Sequence, residues 1–187
     1  MKKKLLVLAV AIMAMFALIG CGATAPKDVA KKYFEDVSSQ TNSSFSKEAM
    51  KKQLGGDSST ATANIPDSCL DAMIDCISKM EVTVTDEKVD GEKATVNLKV
   101  KGVNLNTLVN EAVTEVQSSL SADSSQDEIY AKYFELVEKK LKEASLEERD
   151  AKINLTKSND EWKVTENDAD YGFAVWGLKT NQYTKEK

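Results

Sequence analysis

The sequence predicts an α+β fold in which an antiparallel sheet of about four strands packs against five or six helices. In two stretches, about 81–101 and 151–166, apolar residues alternate with polar ones around a turn signal, so each stretch is expected to form a β-hairpin. Elsewhere apolar residues recur every three or four positions, as in an amphipathic helix. The length of 187 residues and the apolar content of 42% fit one folded domain.

The first two helices follow from apolar spacing and from start signals. Pro26 favours a helix over 27–39, because the fixed φ of proline suits the first turn. Its inward face is predicted to be Val29, Ala30, Tyr33, Phe34 and Val37. Ser46 is a suitable N-cap for a second helix that ends near Leu54, and the polar segment 55–63 then predicts a loop.

A third helix is predicted over 66–80. Ser68 and Asp71 have the spacing of a capping box at its start. Its apolar face is predicted to be Cys69, Leu70, Met73, Cys76, Ile77 and Met80. The first hairpin follows, with Asp90-Gly91 as its turn.

A helical insertion at about 104–149 separates the two predicted hairpins. The first inserted helix covers about 104–120, with Leu105, Leu108, Val109, Ala112, Val113, Val116 and Leu120 facing inward. The second covers about 125–144, with Ile129, Tyr130, Tyr133, Phe134, Val137 and Leu141 facing inward. After the second hairpin, the apolar tail 170–178 predicts a short helix closed by Gly177.

The N-terminus is predicted to be an export signal. Three lysines at 2–4 precede an uncharged apolar run over 5–19, which is shorter than the about 20 residues of a membrane span. The run leads into a sequence that resembles the bacterial lipobox: Leu18, Ile19, Gly20 and Cys21. This resemblance implies cleavage before Cys21 and a diacylglycerol on its sulfur. Acylation of the new amino group stays open.

The export signal divides the chain into three parts. Residues 1–20 are the signal to be removed, 21–26 a lipidated tether, and 27–187 a single domain. Loss of three lysines with the signal lowers the net charge from −5 to −8. Nucleic acid and anionic lipid repel an acidic domain, so we expect attachment to the cell membrane through the Cys21 lipid, on the extracytoplasmic face, and no nucleic-acid partner.

Three features together resemble a known group of proteins: the lipobox, the opening helix VAKKYFEDV and the turn-strand segment NDEWKV. They are similar to small lipoproteins of Gram-positive, Firmicutes-type bacteria with a nuclear-transport-factor-2-like or cystatin-like domain of unknown function. The resemblance implies a cone-shaped sheet. Here the insertion at 104–149 would either pack across the open face of that sheet or extend it.

The chain contains no histidine. Ser-His-Asp triads, Cys-His pairs and HExxH zinc sites are therefore excluded. Active members of the resembled superfamily use aspartate with histidine, so no catalytic residue is carried over to this chain. We predict no catalytic residues, no metal site, no cofactor and a function other than catalysis.

Cys69 and Cys76 are the thiols that remain after lipidation of Cys21. Seven residues along a helix span about 10.5 Å, beyond the about 7 Å Cα separation that a disulfide allows. We therefore favour two buried thiols, and a disulfide that breaks the helix stays the alternative.

Asp67, Asp71 and Asp75 recur every four residues on the opposite face of the third helix. A solvated face with an Asp75–Lys79 pair is the favoured interpretation. A weak patch for a divalent cation or a cationic ligand is the alternative.

Four aromatic residues near the C-terminus are the candidate ligand or partner surface: Trp162, Tyr171, Phe173 and Trp176. They fit closure of the core, and they also fit the aromatic wall of a pocket. Our hypothesis is a non-catalytic module of the cell envelope that binds an envelope protein or a small ligand.

The alternative hypothesis is an envelope hydrolase or isomerase that uses carboxylates alone, since a pair of carboxyl groups can serve as acid and base. The candidates, by residue type, are Asp86, Glu87, Asp90 and Glu92 near the first hairpin turn. A raised carboxyl pKa inside a cavity would favour this alternative.

Overall fold

The computed structural model describes residues 24–55, 65–121 and 123–178, and the side chains of 52–55 are outside the description. The predicted signal, the lipobox residues, Cys21 and the segment 179–187 therefore lie outside the described residues.

Six α-helices, one short 3-10 helix and four strands make up the described ranges. The helices are α1 (Pro26–Ser38), α2 (Lys47–Gly55), α3 (Asp67–Ser78), α4 (Leu105–Ser119), α5 (Gln126–Glu143) and α6 (Ala169–Trp176). The strands are β1 (Glu81–Asp90), β2 (Lys93–Gly102), β3 (Glu147–Ser158) and β4 (Glu161–Val164), and the 3-10 helix is Ser43–Phe45. The predicted α+β class is confirmed. The 3-10 helix was not predicted.

The four strands form one open antiparallel sheet in the order β1-β2-β3-β4. Strand β3 pairs with β2 from Glu147↔Gly102 to Thr156↔Lys93, so the two hairpins are neighbours in the sheet. This pairing starts β3 at Glu147, earlier than the predicted 151. The inserted helices connect β2 to its neighbour β3 and add no strand.

Both hairpin turns have the backbone that their residues favour. Gly91 has φ +60°, whereas Asn159 and Asp160 have φ +52° and +64°. The two consecutive positive φ values of Asn159 and Asp160 define a type I′ turn, whose twist matches that of the flanking strands. The predicted turn at Asn159-Asp160 is confirmed. The first turn lies one residue later than predicted, at Gly91-Glu92, because Asp90 still pairs with Lys93.

The described residues form two hydrophobic cores. The sheet core lies under α1 and α6, and its most deeply buried strand residues are Val96, Leu98, Val100, Ile153 and Leu155. The helical core joins α3, α4 and α5 through Leu70, Met73, Ala112, Val137 and Leu141, among others. The insertion therefore builds a second core beyond one end of the sheet.

Three features join the two cores. Helix α3 contributes Cys69 and Leu70 to the helical core and Ile77 to the sheet core. Trp176 packs against both cores, with its ring centroid 6.2 Å from that of Phe45.

Arg149 is the third joint. Its guanidinium donates hydrogen bonds to four carbonyl oxygens, those of Gly102, Val103, Ala174 and Val175, at 2.8–3.3 Å. Burial lowers the pKa of this guanidinium. Its Nε is buried and has no partner among the described residues.

The predicted capping box of α3 is wrong. Pro66 occupies the N-cap position, and the Ser68 hydroxyl, one residue into the helix, donates to Glu138 on α5 at 2.6 Å. A complete capping box is present at the start of α5, where Ser125 and Glu128 each bond the backbone N–H of the other.

Two predicted inward residues of the insertion face solvent. Val113 and Ile129 are each 39% exposed, whereas Leu136, which was not assigned to the inward face, is buried. In α4, burial is confined to Asn106, Ala112 and Val116. An inserted helix hairpin with solvent on its outer side buries a narrower stripe than apolar spacing suggests.

The two thiols of α3 are buried and unbridged, as favoured above. The aspartates on the other face are bound to lysines, in the pairs Lys51–Asp67, Lys47–Asp71 and Lys79–Asp75. These ion pairs agree with a solvated, paired face.

Candidate functional site

A groove of about 540 Å³ lies between α1 and β4. One wall is formed by Thr24, two residues before α1, and by a face of α1: Asp28, Val29, Lys32, Tyr33 and Asp36. The other wall is formed by Trp162, Lys163, Val164 and Glu166, and Asn42 closes one end.

The wall on α1 follows from helical spacing. Asp28, Lys32 and Asp36 are four residues apart and so share one side of the helix. The Lys32 ammonium donates to both oxygens of the Asp36 carboxylate, at 3.1 and 3.0 Å. Val29 and Tyr33 lie beside this charged row, at the border of the sheet core.

The start of α1 is fixed by β1. Ala25 supplies no capping side chain, and the carboxylate of Glu87 instead accepts the backbone N–H of Lys27 at 2.8 Å. This contact places the tether residue Thr24, and with it the mouth of the groove, at the end of the sheet that carries the hairpin turns.

The wall on β4 exposes the edge of a strand. Consecutive strand residues point to opposite faces of a sheet, yet Trp162, Lys163 and Val164 all line the groove. A cavity that contacts all three runs along the outer edge of the strand. Among the described residues, β4 pairs with β3 alone.

Two hydroxyl contacts lie at the base of the groove. The hydroxyl oxygens of Tyr33 and Tyr171 are 2.7 Å apart, and the Ser44 hydroxyl donates to Glu166 at 3.2 Å. Burial raises the pKa of both tyrosines, and the nearby Glu166 carboxylate adds to the shift. The tyrosines are therefore neutral hydroxyls at physiological pH, suited to hydrogen bonding.

The structure places the four predicted aromatic residues in three locations. Trp162 lines the groove, and Tyr171 lies beneath it, bonded to Tyr33. Phe173 lines a separate depression of about 470 Å³ beside Lys152 and Asp170. Trp176 packs at the joint of the two cores.

Sequence reasoning missed the α1 wall of the groove. The sequence does contain a sign of this wall. Asp28, Lys32 and Asp36 recur every four residues and so form a charged row beside the apolar stripe of α1. Glu166 was also missed, although it continues the alternation of Trp162 and Val164.

The four carboxylates proposed for a hydrolase do not line the groove. Asp86, Asp90 and Glu92 are exposed. The Glu87 carboxylate accepts the backbone N–H of Lys27 at the start of α1. Among the described carboxyl groups, those with a shifted pKa are Asp67, Glu128 and Glu138, and hydrogen bonds lower the pKa in each case. None of these three carboxyl groups has the raised pKa that would favour a carboxylate-only hydrolase or isomerase.

The described residues contain no group of three or more side chains placed to hold a metal ion. Asp168 and Asp170 approach each other because both accept hydrogen bonds from the Asn154 amide, at 2.9 Å each. Asp168 also caps α6 through the Tyr171 N–H. Within the described ranges, no helix is both long and apolar enough to span a bilayer.

Comparison with known protein families identifies the family of this domain. Residues 26–174 match the family described as "Domain of unknown function (DUF5105)". The chain belongs to this family. The DUF5105 match starts at the first residue of α1 and ends within α6, so it includes the sheet, the inserted helices and every groove residue except Thr24.

One solved structure is similar to this DUF5105 chain. It is the crystal structure of a lipoprotein candidate (ycdA) from Bacillus subtilis subsp. subtilis str. 168, with 19% identity and a TM-score of 0.43. The match covers 68% of this chain and 43% of that chain. The chain therefore spans less than half the length of the protein it resembles. No curated protein matches the chain.

Proposed function

We propose that the protein is a lipid-anchored, extracytoplasmic binding module of the cell membrane, and that the groove between α1 and β4 is its binding site. The observation that carries the proposal is the position of this groove. Thr24 lines it, and only two residues separate Thr24 from Cys21, the predicted lipid-bearing residue. Three residue steps span at most about 11 Å, so the groove would open close to the bilayer surface.

The lining of the groove suits binding. It combines two aromatic rings, those of Tyr33 and Trp162, with charged groups of both signs. Ligand sites commonly pair apolar contact area with a few placed polar groups. We further propose that the sheet is of the nuclear-transport-factor-2-like or cystatin-like type, with DUF5105 members anchored in the same way.

Membrane attachment is tested with Cys21→Ser, which removes the lipidated sulfur and leaves the folded domain unchanged. The variant is placed behind an export signal that is cleaved without a lipobox, so that the apolar run 5–19 does not itself hold it in the membrane. The wild-type protein is expected in the membrane fraction of its own cells and in the detergent phase of a detergent partition. The variant is expected in the aqueous phase. Equal partition of the two proteins would contradict the anchor.

Binding in the groove is tested by native mass spectrometry of protein purified from its own membranes. Lys163→Glu reverses a charge at the groove, and the matched control Lys99→Glu makes the same change on the open face of the sheet. We expect a co-purified molecule on wild type and on Lys99→Glu, and its loss on Lys163→Glu. Equal occupancy of the two variants would contradict the proposed site.

A further inference from the structure

The outward-facing backbone groups of β4 point into the groove. In the β3–β4 hairpin, Ser158 and Glu161 flank the two-residue turn, so they form a hydrogen-bonded pair and the pairs alternate from there. Trp162 and Val164 then belong to non-hydrogen-bonded pairs, and their N–H and C=O groups face away from β3.

Two backbone hydrogen bonds support this alternation. The N–H of Thr165 donates to the Asn154 carbonyl on β3 at 2.8 Å, as expected for the positions 161, 163 and 165. The N–H of Lys157, opposite Trp162, donates instead to Glu92 at 2.8 Å and so points away from β4. Among the described residues, no backbone group pairs with β4 on its outer side.

We propose that the groove binds an extended peptide segment, which adds as a fifth strand to the free edge of β4 and lies against α1. Two N–H and two C=O groups, at Trp162 and Val164, supply the pairing, and alternate side chains of the peptide face Tyr33, Val29 and the Trp162 ring. This inference rests on the proposed function and names the ligand class of that same site. It uses the general mode in which main-chain pairing provides affinity and side-chain contacts provide specificity.

The charges of the groove favour a basic peptide. Its walls hold three carboxylates, Asp28, Asp36 and Glu166, against two lysines, and Lys32 is already bound to Asp36. A domain of net charge −8 after removal of the signal adds a long-range field of the same sign. The Trp162 ring provides a face for a cationic head group.

The other free edge of the sheet lacks these features. Strand β1 carries a β-bulge between Val84 and Asp86. Bulges and charged side chains are common means of preventing a further strand from pairing with an edge. Along β1 the exposed row includes Glu81, Asp86, Lys88 and Asp90.

The test uses the mature lipidated protein in non-ionic detergent and the capped heptapeptide KVKVKVK as probe, with binding measured by calorimetry. Two derivatives carry backbone N-methyl groups. The first is methylated at the three valines and the second at three of the four lysines. Only alternate residues of an added strand bond the edge, so we expect one derivative to lose at least about tenfold in affinity and the other to stay within about threefold. The acidic peptide EVEVEVE is expected to bind at least about tenfold more weakly.

A protein variant tests the same bonds from the other side. Val164→Pro removes one outward N–H without removing a bond to β3, since proline is tolerated at an edge. Val164→Ala is the matched control, which shortens the side chain and keeps the N–H. We expect Val164→Pro to weaken peptide binding by more than Val164→Ala does, with the circular dichroism of both variants unchanged.

Four results would overturn the peptide assignment: no binding of KVKVKVK, loss of affinity in both N-methyl derivatives, loss in neither, or concentration-dependent dimerisation abolished by Val164→Pro. The last would make a second copy the occupant. Each of these results can be distinguished from a result that contradicts the proposed binding function itself. If native mass spectrometry shows a non-peptide molecule that Lys163→Glu removes, the groove is a binding site and only the peptide class is wrong.

Discussion

The central strands and the inserted helices differ in how fully their periodic apolar residues are buried. In the sheet core, Val96 and Ile153 are fully buried, because residues on adjacent strands pair across long sequence separations and two helices cover them. In the inserted helices, Val113 and Ile129 remain 39% exposed. Burial at periodic apolar positions is therefore more complete in the central strands of the sheet half. The groove is built on that half, between α1 and β4.

The largest expected difference comes from the same substitution made in each half. Ile153→Ala deletes fully buried atoms in the sheet core and is expected to cost about 2–5 kcal/mol of unfolding free energy. Ile129→Ala, at a 39% exposed position in α5, is expected to cost no more than about 0.5 kcal/mol. Urea unfolding followed by circular dichroism measures both. Similar costs would contradict the difference in burial between positions 153 and 129.

The next largest effect is expected at the joint between the halves. Arg149→Met keeps the apolar stem and removes the donors to four carbonyls, at a cost of about 2 kcal/mol. We also expect the two halves to unfold less cooperatively, so that tryptophan fluorescence and far-ultraviolet dichroism separate. Arg149→Lys, which keeps the charge and fewer donors, is expected to lie between wild type and Arg149→Met. A single unfolding transition of Arg149→Met at the wild-type midpoint would show that Arg149 does not couple the two halves.

A smaller effect is expected within the helical half. Ser125→Ala removes the side-chain cap of α5 and is expected to cost about 1 kcal/mol. Hydrogen bonds from Ser125 lower the pKa of Glu128 below its usual 4.5. A lowered folded-state pKa stabilises the protein above the unfolded pKa, and this contribution is lost as the pH falls through the folded value. The stability difference between wild type and Glu128→Gln should therefore shrink below pH 4.5, as urea titrations at several pH values can measure.

The smallest effect is expected from thiol labelling of the native protein, because its two described cysteines are buried. Burial raises the pKa of Cys69 to about 11 and raises that of Cys76 as well, so neither is a thiolate at pH 8. Ellman's reagent should leave the native protein unlabelled and should titrate both thiols after unfolding in urea. Absence of reactive thiol in the unfolded protein would instead indicate a disulfide.

Much of the fold is predictable because burial in this chain follows regular periods. Alternation locates the strands from Val82 to Val100, and the i, i+4, i+7 spacing of Ala30, Phe34 and Val37 locates α1. The insertion is less predictable. Its apolar spacing at Val113 and Ile129 matches that of buried residues, but burial depends on whether another element covers that side, which spacing does not encode.

The site is less predictable than the fold because it depends on tertiary placement. Trp162 could be selected from its residue type, whereas Asp28 and Lys32 become groove residues only because α1 lies beside the free edge of β4. The sequence also does not show that β4 ends at Val164 and pairs, within the described ranges, with β3 alone. The capping box was predicted for Ser68 by spacing alone, whereas its hydroxyl in fact bonds Glu138 on the neighbouring helix α5 at the surface.

The most direct test of the binding-module account is site-specific photo-crosslinking of the lipidated protein in its own cells. A photoreactive amino acid is placed at Lys163, beside the groove, or at Lys139, an exposed position on α5 in the helical half. The account predicts a discrete covalent adduct from position 163 and none from position 139. Equal labelling at the two positions, or an adduct from position 139 alone, would contradict it.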